Sequence, residues 1–208
     1  MLVALLTIFL DILGFGMIIP IQPFYAESFG ADPTLVTLLG ATFSAMQFLF
    51  SPMWGRLSDR IGRRPVILVS VAIGAFGHLM FALAGQLWVL FLARFITGVG
   101  TANFGAAQAV VADTTSGPER ARGMGLLGAA FGMGFIIGPA VGGVLSQVSP
   151  AAPFWFAAGL STLNFVLAWR ILPETHPVEK RGRRAGPLFA LLEIGGAGRF
   201  PNLPKLFF

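Results

Sequence analysis

Two ionisable side chains interrupt long apolar stretches of this sequence, Asp11 near its start and Arg94 near its middle. A charge among apolar residues is costly, so such a side chain is by default a candidate for function. An acid and a base that share one apolar interior could pair, and a proton or a cationic substrate could then compete for the carboxylate. The alternative is a permanent ion pair that only holds two helices together.

The composition is that of a protein embedded in lipid. Hydrophobic residues make up 55% of the chain, charged residues make up 11%, and the mean hydropathy is +0.79. A soluble domain of this length carries about a quarter charged residues. The chain has too little polar surface to cover a water-facing globule. It also has no cysteine, which excludes disulfides, thiolate metal sites and thiol catalysis.

The apolar runs are long enough to cross a bilayer as helices, each of which needs about 20 residues. They are too continuous for barrel strands, which alternate over about 10 residues. The first run has no basic leader and no cleavage site, so it reads as a membrane helix and not as a signal peptide. We therefore predict an all-α membrane protein, a six-transmembrane-helix bundle. The predicted spans are residues 2–24, 34–54, 65–84, 87–111, 122–146 and 153–172.

Nearly all basic residues outside the spans lie on one side of this predicted bundle. The connections after the second, fourth and sixth spans hold them, and the other three connections hold no Lys or Arg. The positive-inside rule then places both ends of the six-helix unit in the cytoplasm. The same distribution explains the net charge of +5 without a nucleic-acid partner. Counted at about 1.5 Å per residue from opposite membrane faces, Asp11 and Arg94 lie at comparable depths.

The end of the chain has a different composition from the bundle, which occupies residues 1–172. Residues 173–200 are rich in Pro, Gly and Arg and read as a cytoplasmic linker, with one short surface helix over residues 188–194. Residues 201–208 place a lysine before a new apolar run. We interpret them as the start of a truncated seventh helix.

A dense cluster of charge separates the second and third predicted spans. Its sequence is GRLSDRIGRRP at residues 55–65, which predicts a tight turn with Pro65 in the first turn of the next helix. Its lone carboxylate could pair locally or lie at a helix N-terminus. The cluster could also serve only to anchor the topology. The residues singled out are Gly55, Asp59, Arg60, Gly62, Arg63 and Arg64.

The fifth span carries glycines one helical turn apart. Gly128 and Gly132 form one row, and Gly134, Gly138 and Gly142 form another. Such rows let two helix backbones approach closely, and Pro139 removes a helix hydrogen bond and allows a kink. The seam could rock in a transporter or be a static interface in another kind of membrane protein.

Several other side chains could line a cavity or bond between helices. The embedded polar candidates are Gln47, His78, Asn103 and Asn164, and the aromatic supply favours an apolar, drug-like ligand over a sugar. No phosphate-binding loop ends in Lys-Ser or Lys-Thr, and neither His-Glu-x-x-His nor Gly-x-Ser-x-Gly occurs. We therefore expect neither an enzyme nor a cofactor. The aromatic residues are Phe43, Phe48, Phe50, Phe76, Phe131 and Phe135.

Four motifs in order resemble the major facilitator superfamily. They are DILGFGMIIP (residues 11–20), the cluster at 55–65, LARFITGVG (92–100) and GFIIGPAVGG (134–143). The first motif, with residues 46–48 and 112–116, is similar to the tetracycline/proton antiporters and related drug exporters. The resemblance covers about residues 5–175. It implies the N-terminal half of a fold in which two six-helix bundles, each made of two inverted three-helix repeats, enclose a midplane site.

The resemblance also implies a function and assigns roles. It implies a secondary active transporter of the cytoplasmic (inner) membrane, with proton-coupled efflux (antiport) of a drug-like or amphiphilic small molecule by alternating access. Asp11 and Arg94 would couple protons, and the cluster at 55–65 would form a cytoplasmic gate. The partners would be substrate, protons, lipid and a second six-helix bundle, whether a missing C-terminal half, a separate chain or a second copy. The helix-five antiporter motif contributes Gly134, Gly138, Pro139, Gly142 and Gly143.

The sequence departs from the resemblance at one place and leaves alternatives. Tetracycline antiporters carry a carboxylate in the third helix near the position of Gly77 and His78, which counts against tetracycline as the substrate. A sugar or metabolite transporter of the same superfamily remains an alternative. A non-transporting membrane scaffold or sensor is another.

Overall fold

The computed structural model describes residues 2–101, 104–176 and 179. Within this part, six helical segments are long and apolar enough to cross a membrane, which confirms the predicted all-α bundle. Residues 102 and 103 lie outside the description, so the fourth span is described as two helices. The helices are Leu2–Glu27, Pro33–Ile61, Arg63–Ala82, Leu87–Gly100 with Phe104–Thr114, Gly117–Ser146 and Ala152–Ile171.

The second span is longer than predicted, and the tight turn that was predicted across the charged cluster is confined to Gly62. The helix begins at Pro33 after Asp32, whose side chain accepts a hydrogen bond of 2.8 Å from the Leu35 N–H. It then continues through the charged residues to Ile61, because charged side chains at a membrane end can stay helical and reach water. The break is Gly62, whose φ of 111° favours glycine. Pro65 lies in the first turn of the third helix, as predicted.

The first and fifth spans meet backbone to backbone along one glycine row. A Cβ added at Gly138 would lie 2.8 Å from the backbone of Gly16, and one at Gly134 would lie 2.7 Å from Ile12. One at Gly142 would lie 2.8 Å from the Met17 carbonyl oxygen. The contact therefore requires glycine at all three positions of the fifth span.

The row of Gly128 and Gly132 does not pack against a neighbouring helix in the described part of the chain. A Cβ at Gly128 or Gly132 would meet nothing within 4 Å, and the same holds for Gly143. Pro139 lies inside the helix and is exposed. The expectation of close approach was wrong for Gly128 and Gly132, because equal spacing along a helix does not fix which face meets a neighbour.

Two apolar clusters lie toward opposite ends of the bundle. The end away from the charged cluster at residues 55–65 is packed around Met17, Phe81 and Phe154. The arginine-rich end is packed around Trp54, Val66 and Leu172. Leu172 directly follows the last helix. Of the predicted linker, only residues 173–176 and 179 are described. The predicted short helix over 188–194 and the predicted seventh helix over 201–208 lie outside the described residues.

Candidate functional site

A cavity of about 720 Å³ lies among the spans, lined mainly by the first three. Its wall is mostly apolar and aromatic. Among the described residues, the carboxylate on this wall is that of Asp11, and no Lys or Arg lines it. The other polar residues on the wall are Ser44, Gln47, Ser51, Ser70, His78, Thr101 and Ser161.

The Asp11 carboxylate is held by the sixth span. The side-chain amide of Asn164 donates a hydrogen bond of 2.8 Å to Oδ1 of Asp11 and one of 3.0 Å to the Thr7 carbonyl oxygen. Asn164 is only 1% exposed. The buried amide therefore ties the carboxylate to the first span while the acid itself borders the cavity. Interhelical polar pairs in membranes contribute about 0.6–1.7 kcal/mol.

His78 is held in the same way, one helical turn away. Its Nδ1 lies 3.0 Å from the hydroxyl oxygen of Ser161, which precedes Asn164 by three residues on the sixth span. Residues three apart on a helix share a face. The sixth span thus holds both an acid and an imidazole at the cavity wall.

Arg94 lies behind the wall and not on it. Its side chain is 4% exposed, and its guanidinium carbon lies 5.3 Å from the ring centre of Phe43 and 5.1 Å from that of Phe81. Cation–π contacts of this kind partly replace the lost hydration of a buried cation. Because Phe43 also lines the cavity, its ring covers the guanidinium on that side.

The sequence left open that Asp11 and Arg94 form an ion pair. No such pair is formed among the described residues. Asp11 accepts from Asn164, whereas Arg94 contacts aromatic rings, and its Nε meets no acceptor in the described part of the chain. The two charges therefore have different surroundings.

The other predicted cavity residues have mixed outcomes. Gln47 and His78 line the cavity, Asn164 lies behind Asp11, and Asn103 lies outside the described residues. Phe43, Phe48 and Phe131 line the wall, whereas Phe76 is exposed on the outer surface.

Sequence reasoning missed several wall residues, among them Phe15, Ser161 and Phe104. Phe15 follows Asp11 by one helical turn, so its position on the same face was a usable signal. Its ring stacks on that of Phe43 at 5.0 Å between centres. Ser161 stands in the same relation to Asn164. Phe104 carried no signal beyond its type.

Arg63 is the centre of the charged cluster at the arginine-rich end. Its Nη1 lies 2.6 Å from the Asp59 carboxylate and donates a hydrogen bond of 2.8 Å to Ser58. Its Nε donates one of 3.1 Å to Asp113, at the end of the fourth span. Its backbone N–H donates one of 2.9 Å to Glu174, which follows the sixth span. One arginine therefore joins the ends of four spans.

The other residues of the cluster are distributed around Arg63. Arg64 donates a hydrogen bond of 2.6 Å to the Trp169 carbonyl oxygen, and Arg60 is exposed. Gly62 forms the break between helices, and a Cβ at Gly55 would meet nothing within 4 Å. The sequence indicated that the lone carboxylate of the cluster could pair locally, and Asp59 does so. The roles of Asp113 and Glu174 were missed.

The fold and the cavity define a polytopic helical membrane protein with an ionisable group on the wall of a cavity among its spans. Residues 4–206 match the Major Facilitator Superfamily, and the chain belongs to this family. The family resemblance carried by the four motifs is thereby confirmed.

Relatives of the chain include resistance proteins. The chain is 38% identical over 198 residues to the class D tetracycline resistance protein of Salmonella ordonez, covering 91% of this chain and 50% of that protein. It is 42% identical over 204 residues to the class G protein of Vibrio anguillarum, covering 95% and 51%. The quinolone resistance protein NorA of Staphylococcus aureus strain MRSA252 is 32% identical over 163 residues, covering 78% and 42%. The chain thus spans about half the length of these relatives.

Solved structures give the same proportion. The crystal structure of the human organic anion transporter MFSD10 (TETRAN) aligns with a TM-score of 0.79 at 30% identity, covering 91% of this chain and 52% of that one. The peptide transporter POT aligns with a TM-score of 0.78 over 100% of this chain and 46% of its own. At 18% identity, that likeness shows the fold alone.

Proposed function

We propose that this chain forms the N-terminal six-helix bundle of a transporter that exports a drug-like, amphiphilic molecule in exchange for protons, by alternating access. The observation that carries the proposal is the Asp11 carboxylate on the wall of an aromatic cavity of about 720 Å³. The tetracycline and quinolone resistance relatives support drug efflux. The cavity supports the substrate class, because aromatic walls with few polar groups suit amphiphilic ligands.

In this proposal Asp11 carries the transported proton. A protonated carboxyl has no charge to offer a cationic or polar substrate, so proton and substrate occupy the acid in turn. Asn164 keeps the acid at the wall through its 2.8 Å hydrogen bond. A membrane potential of 100 mV contributes about 2.3 kcal/mol per charge moved, which corresponds to roughly 50-fold accumulation per charge.

Arg94 supplies a fixed positive charge behind the wall. Phe43 separates it from the cavity, and Asp11 forms no ion pair with it within the described residues. We propose that Phe43 withdraws in another state of the cycle and lets Arg94 act on the ionised acid. His78, held by Ser161 on the same wall, is the second polar contact for substrate.

The charged cluster forms the cytoplasmic gate of the proposed transporter. Arg63 links Asp59 and Asp113 across the ends of the second, third and fourth spans. Asp59 is 40% exposed and can still reach a second bundle. That bundle follows in the same protein, comes from a separate chain or is a second copy. The arginine-rich end faces the cytoplasm of a cell with the protein in its inner membrane.

The test is transport by the whole protein in sealed inverted membrane vesicles with an imposed proton gradient. The probe is ethidium, a fluorescent aromatic cation, and proton efflux is followed with a pH-sensitive dye. We expect Asp11→Asn to abolish both proton-driven ethidium uptake and ethidium-driven proton efflux. Glu119→Gln, at an exposed acid at the start of the fifth helix, is the matched control and leaves both unchanged.

Intact exchange in Asp11→Asn would remove the assignment of Asp11. Flux of a sugar or a metabolite, with none of ethidium, would favour the alternative superfamily function. Binding and flux of neither class by the whole protein would favour a scaffold or sensor. Uptake into right-side-out vesicles driven by the same gradient would identify an importer.

A further inference from the structure

The outer face of the third span carries an apolar groove that the proposed transport function does not use. Its volume is about 690 Å³. The third-span residues of the groove recur at helical spacing, so they form one stripe along the helix. From residue 65 to residue 76 this stripe is about 16 Å long. The groove is lined by Pro65, Leu68, Val69, Ala72, Ile73 and Phe76, with Ile96 and Phe165 from neighbouring spans.

The groove lies on the opposite side of the third span from the central cavity. Ser70, Gly74 and His78 line that cavity, whereas Val69, Ile73 and neighbouring stripe residues line the groove. An occupant of the groove therefore contacts the back of the same helix that presents His78 to the cavity. The two sites are distinct, and the groove is open to the surrounding lipid.

Positive charge lies at the arginine-rich end of the groove. Arg64 directly precedes Pro65, and its Nη2 donates a hydrogen bond of 2.6 Å to the carbonyl oxygen of Trp169, one turn beyond Phe165. The Nε of Arg64 is buried and meets no acceptor in the described part of the chain. Arg170 follows Trp169 and is exposed. Trp169 is 55% exposed, as is typical of tryptophans at the lipid headgroup level.

We propose that this groove binds one anionic phospholipid, with an acyl chain along the third span and the phosphate between Arg64 and Arg170. The lining offers an occupant no hydrogen-bonding side chain, so the occupant must be apolar along the groove. The two arginines at one end require that it end in an anion, and basic pockets between membrane helices are known headgroup sites. The nearby Glu174 carboxylate accepts from the backbone N–H groups of Arg63 and His176, which stabilises its own charge.

The test is lipid binding to the whole purified protein, measured by native mass spectrometry. Phosphatidylglycerol is titrated against phosphatidylcholine with the same acyl chains. We expect Arg64→Gln and Arg170→Gln each to weaken phosphatidylglycerol binding about fivefold, since a basic residue near the surface contributes about 1 kcal/mol. Arg122→Gln removes an exposed arginine from the same end of the bundle and leaves the affinity unchanged.

A second pair of variants tests the acyl chain part. Ala72→Leu fills the groove and lowers the affinity for both lipids. Gly132→Leu adds slightly more bulk at a position where nothing lies within 4 Å, and it leaves the affinity unchanged. Equal binding of the two lipids, or an equal loss in Arg122→Gln, would overturn the proposal. Displacement by inorganic phosphate alone would reduce it to an anion site. A dimer in which the groove is shielded would show that a second copy of the chain, and not a lipid, occupies the groove.

This inference does not depend on proton exchange. Loss of ethidium transport in Asp11→Asn with lipid binding retained would support both proposals separately. If Asp11→Asn transported ethidium normally while Arg64→Gln still lost lipid binding, only the assignment of Asp11 to transport would be wrong.

Discussion

The two faces of the first span hold the bundle together by different means. One face meets the fifth span through glycine, with Gly16 and Met17 against Gly138 and Gly142. The other face carries Asp11 and borders the cavity. The glycine face, which we call the seam, has no room even for a methyl group. The cavity face is held through the polar contact of Asp11 with Asn164.

The difference separates a packing contact from a chemical one. Small residues let helices approach in lipid, where there is no water to drive apolar association. A polar group in the same environment must find a partner, and an ionisable side chain there is by default a candidate for function. The seam is therefore the place where substitution should harm folding. The cavity face is where substitution should harm chemistry and spare folding.

The largest effect is expected at the seam. Gly138→Leu would drive a side chain into the Gly16 backbone, and separating the helices should cost more than about 3 kcal/mol of unfolding free energy. Gly132→Leu lies in the same helix with nothing within 4 Å and should cost less than about 1 kcal/mol. Titration with sodium dodecyl sulphate, followed by circular dichroism, measures both. Equal losses in the two variants would erase the distinction between the rows.

The glycine rows also show what the sequence could not predict. Both rows have small residues one turn apart. Helical periodicity tells which residues of a helix share a face, but not which face meets a neighbouring helix. Which face meets a neighbour depends on the azimuth of each helix in the bundle. The span count could be predicted because about 20 apolar residues are a local requirement of the bilayer.

The candidate site shows the same limit of sequence reasoning. Counting residues predicts comparable heights for Asp11 and Arg94, but it does not reveal that Phe43 lies over the arginine. The hydrogen bond from Asn164 joins residues 153 positions apart, and no local pattern encodes it. The helix through Asp59 was missed because dense charge reads as a loop inside a soluble protein, while at a membrane end it can remain helical.

The next effect tests the aromatic cover of Arg94. Phe43→Ala removes one of its two ring contacts, and a loss of about 1–2 kcal/mol of cation–π energy should increase exposure of the guanidinium roughly tenfold. The measurement is the rate at which phenylglyoxal modifies Arg94, read by peptide mass spectrometry. Phe48→Ala removes another ring from the cavity wall and should leave the rate unchanged. Identical rates in the two variants would mean that Phe43 is no cover.

A smaller effect belongs to the hydrogen bond behind the acid. A double-mutant cycle with Asp11→Ala and Asn164→Ala should give a coupling energy of about 1 kcal/mol, since interhelical polar pairs in membranes rarely exceed about 1.7 kcal/mol. The same detergent titration measures it. The pair Asp11 and Ser161, for which no direct contact is described, serves as a control cycle with coupling near zero. If the losses of unfolding free energy in Asp11→Ala and Asn164→Ala were additive, the Asn164 amide would contribute through packing and not through its hydrogen bond to Asp11.

The smallest effect on folding is expected outside both faces, at the charged end of the bundle. Asp59→Asn breaks an ion pair whose acid is 40% exposed, and exposed pairs contribute about 0–1 kcal/mol. Insertion and unfolding should therefore stay near the parent values, while transport falls if Asp59 gates against a second bundle. Asp113→Asn is the paired comparison, because it removes the other acid from Arg63. Normal transport in Asp59→Asn would make the cluster a topology anchor, and the chemistry of the bundle would then be confined to the cavity face.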